Sequence, residues 1–302
     1  YEDIKIPDEL TKKDALKAYE VLFKPFEKFP FVSGVDKSVI IACLLTALLR
    51  PTLRSAPLFL LSATKMGTGK SLLANIITMI TSGRSNPSMM SYSDNDDEMQ
   101  KRFLSILRAG SNIVCIDNVS TAIKSDNLCS ILTEPEFSGR VLGLSTIITL
   151  PTTTTWIATG NSLRVAGDLS TRSLLCRLDA HVERPEERVF STNLYKWVPA
   201  HRKELITAAL TLLHAYQVSN KKRCNVKPWG RFEEWSECVR KPLIWLGKAD
   251  PYESTKEIQT HDPVRDELYD LLEWWHEKYG NKPMLLRDVI NDITNYTSDP
   301  KH

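Results

Sequence analysis

Apolar positions along this chain have two textures. Up to about residue 185 they come in short continuous runs bounded by Gly, Pro, Asn or Asp. Beyond it they recur at helical spacing over long stretches. The segment Pro57–Ala63 (PLFLLSA), closed off by breakers, predicts a buried strand, and Ser111–Val119, Thr153–Thr159 and Leu174–Leu178 predict three more. Helices are predicted over Asp14–Lys24 after the cap candidates Asp8 and Thr11, and over 36–50, where Arg50-Pro51 ends the run. Further helices are predicted from Lys70 to Gly83, Glu98 to Ala109 and Leu128 to Leu132. Arg140–Thr149 alternates like a hairpin arm. Strands alternating with helices predict an α/β fold with a parallel sheet. The organisation expected is an N-terminal helical segment (1–35), a core (36–190) and a C-terminal helical region (191–302) with long helices at Tyr195–Val218 and Asp266–Tyr279. Met284–His302 starts like a helix of a winged-helix module and stops, and a chain beginning at Tyr1 reads as a piece of something longer.

Composition narrows this picture. The chain has 302 residues, 42% hydrophobic and 25% charged, which excludes disordered and collagen-like classes. A net charge of +2 gives no global nucleic-acid footprint, so any such partner must be met by a local patch. The six cysteines form no CxxC pair and the six histidines no metal spacing; a reducing, cytoplasmic setting is expected. No Ser/His/Asp pattern stands out. The longest apolar stretch, Val39–Leu49, is too short to span a bilayer, and no membrane partner is expected.

The chemistry concentrates at strand ends. A strand, then TKMGTGKS, then a helix is the setting of a phosphate-binding loop. Gly67, Thr68 and Gly69 would turn backbone N–H groups onto phosphate oxygens, and the helix start at Lys70, Ser71 and Leu72 would add its partial positive charge. Lys70 supplies a full charge to the terminal phosphates, and the Ser71 hydroxyl suits Mg²⁺. The nucleotide expected is ATP. Thr64 stands where the first glycine of the loop pattern belongs. Asp117 ends the strand NIVCIDN, where a carboxylate can hold Mg²⁺. Asn118 follows it, an amide that orients water without taking its proton. The water-activating base stays unassigned, with Glu134 a weak candidate. Asn161 ends the strand WIATGN, 44 residues beyond Asp117, where it can align water against the γ-phosphate. Arg172 follows 11 residues later, a candidate arginine finger for a neighbouring subunit, with Arg177 as runner-up.

In this order, GKS, IDN, GRVLG, LPTTTTWIATGN, GDLSTR, LLCRLD and VERPEER resemble the AAA+ helicase domains of phage and mobile-element replication proteins, over roughly residues 35–190. The resemblance implies a P-loop NTPase (AAA+) core that forms a ring, expected to be a hexamer, and moves along single-stranded or forked DNA. It also implies a primase module elsewhere in the full-length chain. Carried over, Lys70 and Ser71 take the phosphate-loop roles, Asp117 the metal role, Asn161 the sensor role and Arg172 the finger role. Ser162 stands where relatives commonly have a second Asn, and Thr171 where a paired arginine is usual. The segment Ser138–Thr149, with Arg140 at its base, resembles a pre-sensor hairpin that grips DNA. Lys221–Lys227 (KKRCNVK), with Trp229, Arg231 and Trp235 nearby, reads either as a DNA surface or as a solvated loop over a tryptophan core. Two other functions fit the same residues: an ATP-gated switch, favoured by Asn118 beside Asp117, and a non-replicative DNA motor for transposition or defence.

Overall fold

Six residues in a row, Leu58–Ala63, are buried, because this strand lies inside a sheet covered on both faces. The computed structural model describes residues 4–140, 146–182, 184–185, 192–219, 224–260 and 263–297. Its strands are β1 (Leu58–Ala63), β2 (Ser88–Ser91), β3 (Ile113–Val119), β4 (Glu136–Arg140), β5 (Ile147–Pro151), β6 (Thr155–Asn161) and β7 (Ser173–Leu178). Five make one sheet in the order β2-β3-β6-β1-β7, with every neighbouring pair parallel. All five therefore present their C-terminal ends at one rim. The remaining two, β4 and β5, form a separate antiparallel ribbon.

The helices in chain order are α1 (Lys12–Phe23), α2 (Gly34–Leu49), α3 (Lys70–Ser82), α4 (Asp96–Arg108), α5 (Asp126–Thr133), α6 (Leu194–Ala200), α7 (Arg202–Val218), α8 (Glu233–Trp235), α9 (Lys241–Trp245), α10 (Ser254–Thr260), α11 (Pro263–Tyr279) and α12 (Leu286–Thr297). Side chains alternate between the faces of each strand, so the sheet separates two cores. Phe59, Leu61, Cys115, Ile157 and Cys176 join α2 and α3 in one. Leu58, Leu60, Val114, Ile116, Trp156 and Leu175 join α4 and α5 in the other, where Phe103 meets Trp156 edge-on at 5.1 Å. This is a mixed α/β core with a five-stranded parallel sheet and flanking helical segments, the α/β fold class the sequence predicts.

Three local outcomes differ from the sequence pattern. The short strand β2 (SMMS) carries no periodicity and goes unread; it forms because β3 offers it a buried edge. The single helix expected over Tyr195–Val218 is two, parted at His201, whose backbone leaves the helical region at φ −106° and ψ 11° two residues after Pro199. Trp229 and Trp235 are buried, and Trp235 donates its indole N–H to Thr46 Oγ1 at 2.7 Å. They belong to the core, which favours the tryptophan-core reading of that basic stretch.

The chain divides into two compact units, Tyr1–Asp262 and Pro263–His302. The boundaries expected near 35 and 190 both fall inside the first unit, where α1 packs on α7. The second unit contains α11 and α12, tied together by Tyr279 Oη donating to Asp292 and by a Lys278–Asp292 ion pair at 3.0 Å. Residues 141–145 of the expected hairpin, 221–223 of the basic stretch and most of VERPEER lie outside the described residues. Among the described residues, no helix is long and apolar enough to cross a membrane.

Candidate nucleotide site

The loop after β1 has the backbone that its glycines permit. Gly67 and Gly69 sit at φ of 72° and 105°, a region open to glycine. A Cβ on Gly69 would also come within 2.9 Å of the Phe29 ring. Gly69 is the N-cap of α3, and no side chain caps that helix. Its first N–H groups are therefore left to an anion or to water. Thr68 is buried and donates to the Lys65 carbonyl at 3.2 Å, which braces the loop. Ser71 and Leu72 follow in the first turn of α3.

Three strand ends bring the predicted polar residues together. Lys70 Nζ donates to Asn161 Oδ1 at 2.7 Å and to the Lys65 carbonyl at 3.4 Å. The reason is register: Ala63, the last residue of β1, pairs with Asn161 on β6. On the other side of β6 lies β3, whose Asp117 is close enough to act electrostatically on Lys70. Burial lowers the Lys70 pKa, and Asp117 partly offsets that shift. Asp117 borders a polar cleft of about 520 Å³ at the ends of β2 and β3. Lys70, Asp117 and Asn161 thus gather at one rim, with the loop across it.

Among the described residues no cluster of three or more His, Cys, Asp or Glu could cage a metal. A divalent cation here would need Asp117 and Ser71 together with phosphate oxygens, a donor set that suits magnesium.

The two candidate arginines lie at opposite ends of β7. Arg172 precedes β7, and its carbonyl accepts from Leu58 N at 3.0 Å. β1 and β7 run in register from Leu58↔Ser173 to Ala63↔Leu178, so Arg172 lies at the opposite rim, roughly 17 Å from the phosphate-loop end of the sheet at about 3.3 Å per residue. Its guanidinium is buried, pairs with Asp168 at 2.8 Å, and leaves Nε without a partner. It faces a cavity of about 570 Å³ shared with Arg54, Arg231 and Glu134. Arg177 pairs with Ser62 toward the phosphate-loop end of the sheet; its side chain, 34% exposed, makes ion pairs to Asp36 and Glu257, and its backbone N–H also donates to Asp36 at 2.7 Å. Glu134 therefore sits with Arg172, in a different cavity from the one that Asp117 borders. The residue that the sequence reading missed is Thr159. It lies on β6 two positions before Asn161 and bonds to Asp117 and to the Asn118 amide. A hydroxyl inside the otherwise apolar run WIAT was the available signal.

No protein-family model matches the chain, and no curated protein matches it. Solved structures similar to it include two described as the A form apo structure of the NrS-1 C-terminal region. The first has a TM-score of 0.48 and 15% identity, over 98% of this chain and 63% of that one. The second, covering 305–718 of that protein, has a TM-score of 0.46 and 15% identity, over 97% of this chain and 64% of that one. The chain thus spans under two thirds of the length of these two. A JCV helicase bound to a small molecule is similar at a TM-score of 0.33 and 12% identity, over 85% of this chain and 75% of that one. Strand order and register, rather than these likenesses, establish the fold.

Proposed function

We propose that this chain is an ATP hydrolase acting as an oligomeric DNA helicase or translocase in replication of a phage or mobile element. The convergence of Lys70, Asp117 and Asn161 beside a glycine-bearing loop carries the reading, because a triphosphate lying across that rim would meet all three. The reaction is phosphoryl transfer from ATP to water, driven by positioning and charge neutralisation. Lys70 and the uncapped N–H groups of α3 hold the β- and γ-phosphates. Asn161, freed from Lys70 when phosphate arrives, orients the water. Asp117 and Ser71 would hold Mg²⁺, which when bound neutralises phosphate charge.

Arg172 lies too far from Lys70 to serve the same nucleotide. Its place at the opposite rim supports a role across a subunit boundary, in a ring that we take to be a hexamer from the resemblance. DNA would be gripped through the phosphate backbone by the β4–β5 ribbon with Arg140 at its end, giving weak sequence preference. A primase module in the full-length chain belongs to the same proposal.

The test is ATP turnover with and without single-stranded DNA, combined with mass measurement in the presence of nucleotide. DNA-stimulated turnover by an oligomer supports the reading. Negligible turnover without stimulation supports the ATP-gated switch, which Asn118 beside Asp117 favours. DNA-stimulated turnover without displacement of a forked duplex supports a non-replicative motor.

A further inference from the structure

The ladder between β3 and β6 breaks at the carboxylate. Pairing runs from Ile113↔Thr155 to Ile116↔Ala158 and resumes at Val119↔Gly160. Asp117 and Asn118 therefore stand opposite one residue, Thr159, which defines a β-bulge. Asn118 adopts φ of 53°, in the left-handed region. A bulge leaves an N–H without its ladder partner and re-aims the side chains beside it. Thr159, 1% exposed, meets both consequences with one hydroxyl. It accepts from the Asn118 N–H at 3.2 Å and donates to Asp117 Oδ1 at 2.5 Å. Gly160 closes the arrangement: a Cβ there would come within 2.5 Å of the Val119 carbonyl oxygen, so the strands cross too closely for any side chain.

Resting on the nucleotide reading above, we propose that Thr159 is the positioning residue for Asp117. By occupying Oδ1 it fixes the carboxylate's rotation and leaves Oδ2, which has no partner among the described residues, for a hydrated cation beside the phosphates. The same strand restrains the opposite charge, since Asn161, two residues on and on the same face, takes the Lys70 ammonium. Thr159 and Asn161 together keep Asp117 and Lys70 from pairing with each other before nucleotide arrives. A buried hydroxyl that donates to a carboxylate while accepting a backbone N–H meets that task, whereas an isosteric Val has neither function.

The experiment measures affinity, separately from turnover. A fluorescent ATP analogue is titrated against the protein without Mg²⁺ and then at rising Mg²⁺, for wild type, Thr159→Val and Thr159→Ser. Amide hydrogen exchange at Asn118 is followed in the nucleotide-free proteins. The expected result for Thr159→Val is metal-free affinity within about twofold of wild type, a Mg²⁺ midpoint raised at least tenfold, and faster exchange at Asn118. Thr159→Ser should restore the midpoint and the protection. An unchanged midpoint in Thr159→Val overturns the proposal while leaving the nucleotide site standing, as does a Thr159→Ser variant as impaired as Thr159→Val. Absence of nucleotide binding by wild type overturns both. Should Thr159→Val not fold, Thr159→Ala is judged by the same two readouts.

Discussion

Lys70 and Asn161 share a hydrogen bond of 2.7 Å across 91 residues of sequence. The pairing of Ala63 with Asn161 builds this contact into the sheet, so the nucleotide-free loop already holds its lysine at the rim where a phosphate would lie. Lys70→Ala should reduce ATP hydrolysis by at least about a hundredfold, the scale of losing one pre-positioned charge, with an unchanged circular-dichroism spectrum. Near-normal turnover in that variant would remove the site assignment.

The lowered Lys70 pKa predicts a pH effect of definite sign. A bound triphosphate favours the ammonium and raises that pKa. Nucleotide binding should therefore take up a proton at alkaline pH, and affinity should fall as pH rises through the depressed value. Calorimetry in two buffers of different ionisation enthalpy measures the uptake, and release of protons would contradict the prediction.

Gly69→Ala places a Cβ at φ of 105° and against Phe29. The strain, about 1–3 kcal/mol, falls on the phosphate loop. Nucleotide affinity should drop at least tenfold while the melting temperature moves by only a few degrees, as fluorescence titration and calorimetry would show.

Arg172→Ala should be inactive alone and regain turnover when mixed with Lys70→Ala, because each protein retains the half-site that the other lacks. Arg177→Ala should behave differently: it breaks the pairs with Asp36 and Glu257, and it should lower stability instead of complementing. Complementation by Arg177→Ala would reverse the assignment.

Arg50 is 2% exposed, and burial pulls its pKa down to about 10, with no carboxylate paired to it among the described residues. Its Nε and Nη1 donate to the carbonyls of Thr154 and Leu53, joining the end of α2 to the start of β6. Arg50→Ala would orphan both carbonyls and open a void, and should cost about 3–5 kcal/mol by chemical denaturation.

The sequence shows the strands that have apolar character of their own, and with them the order Lys70, Asp117, Asn161. Strand β2 stayed hidden because its four residues depend on a neighbour for their burial. Glu134 looked usable because it follows Asp117 in the chain, but α5 carries it to the rim of Arg172. The partners of the two arginines were likewise tertiary: only the fold shows Asp168 beside Arg172, and Asp36 and Glu257 beside Arg177. Thr159 escaped notice because a threonine in a strand ordinarily signals β propensity, and the bulge that gives it a second task is a matter of register.

On the proposed reading, that bulge sets durability against activity within a few peptides of one strand. A substitution that straightened β3 and restored the missing rung should yield a sturdier protein, and the same change would swing Asp117 away from its aim. Screens for heat resistance alone should thus enrich inert versions at 117–119 and at Thr159, whereas selection under demand for turnover should retain the irregular strand and accept its weaker ladder.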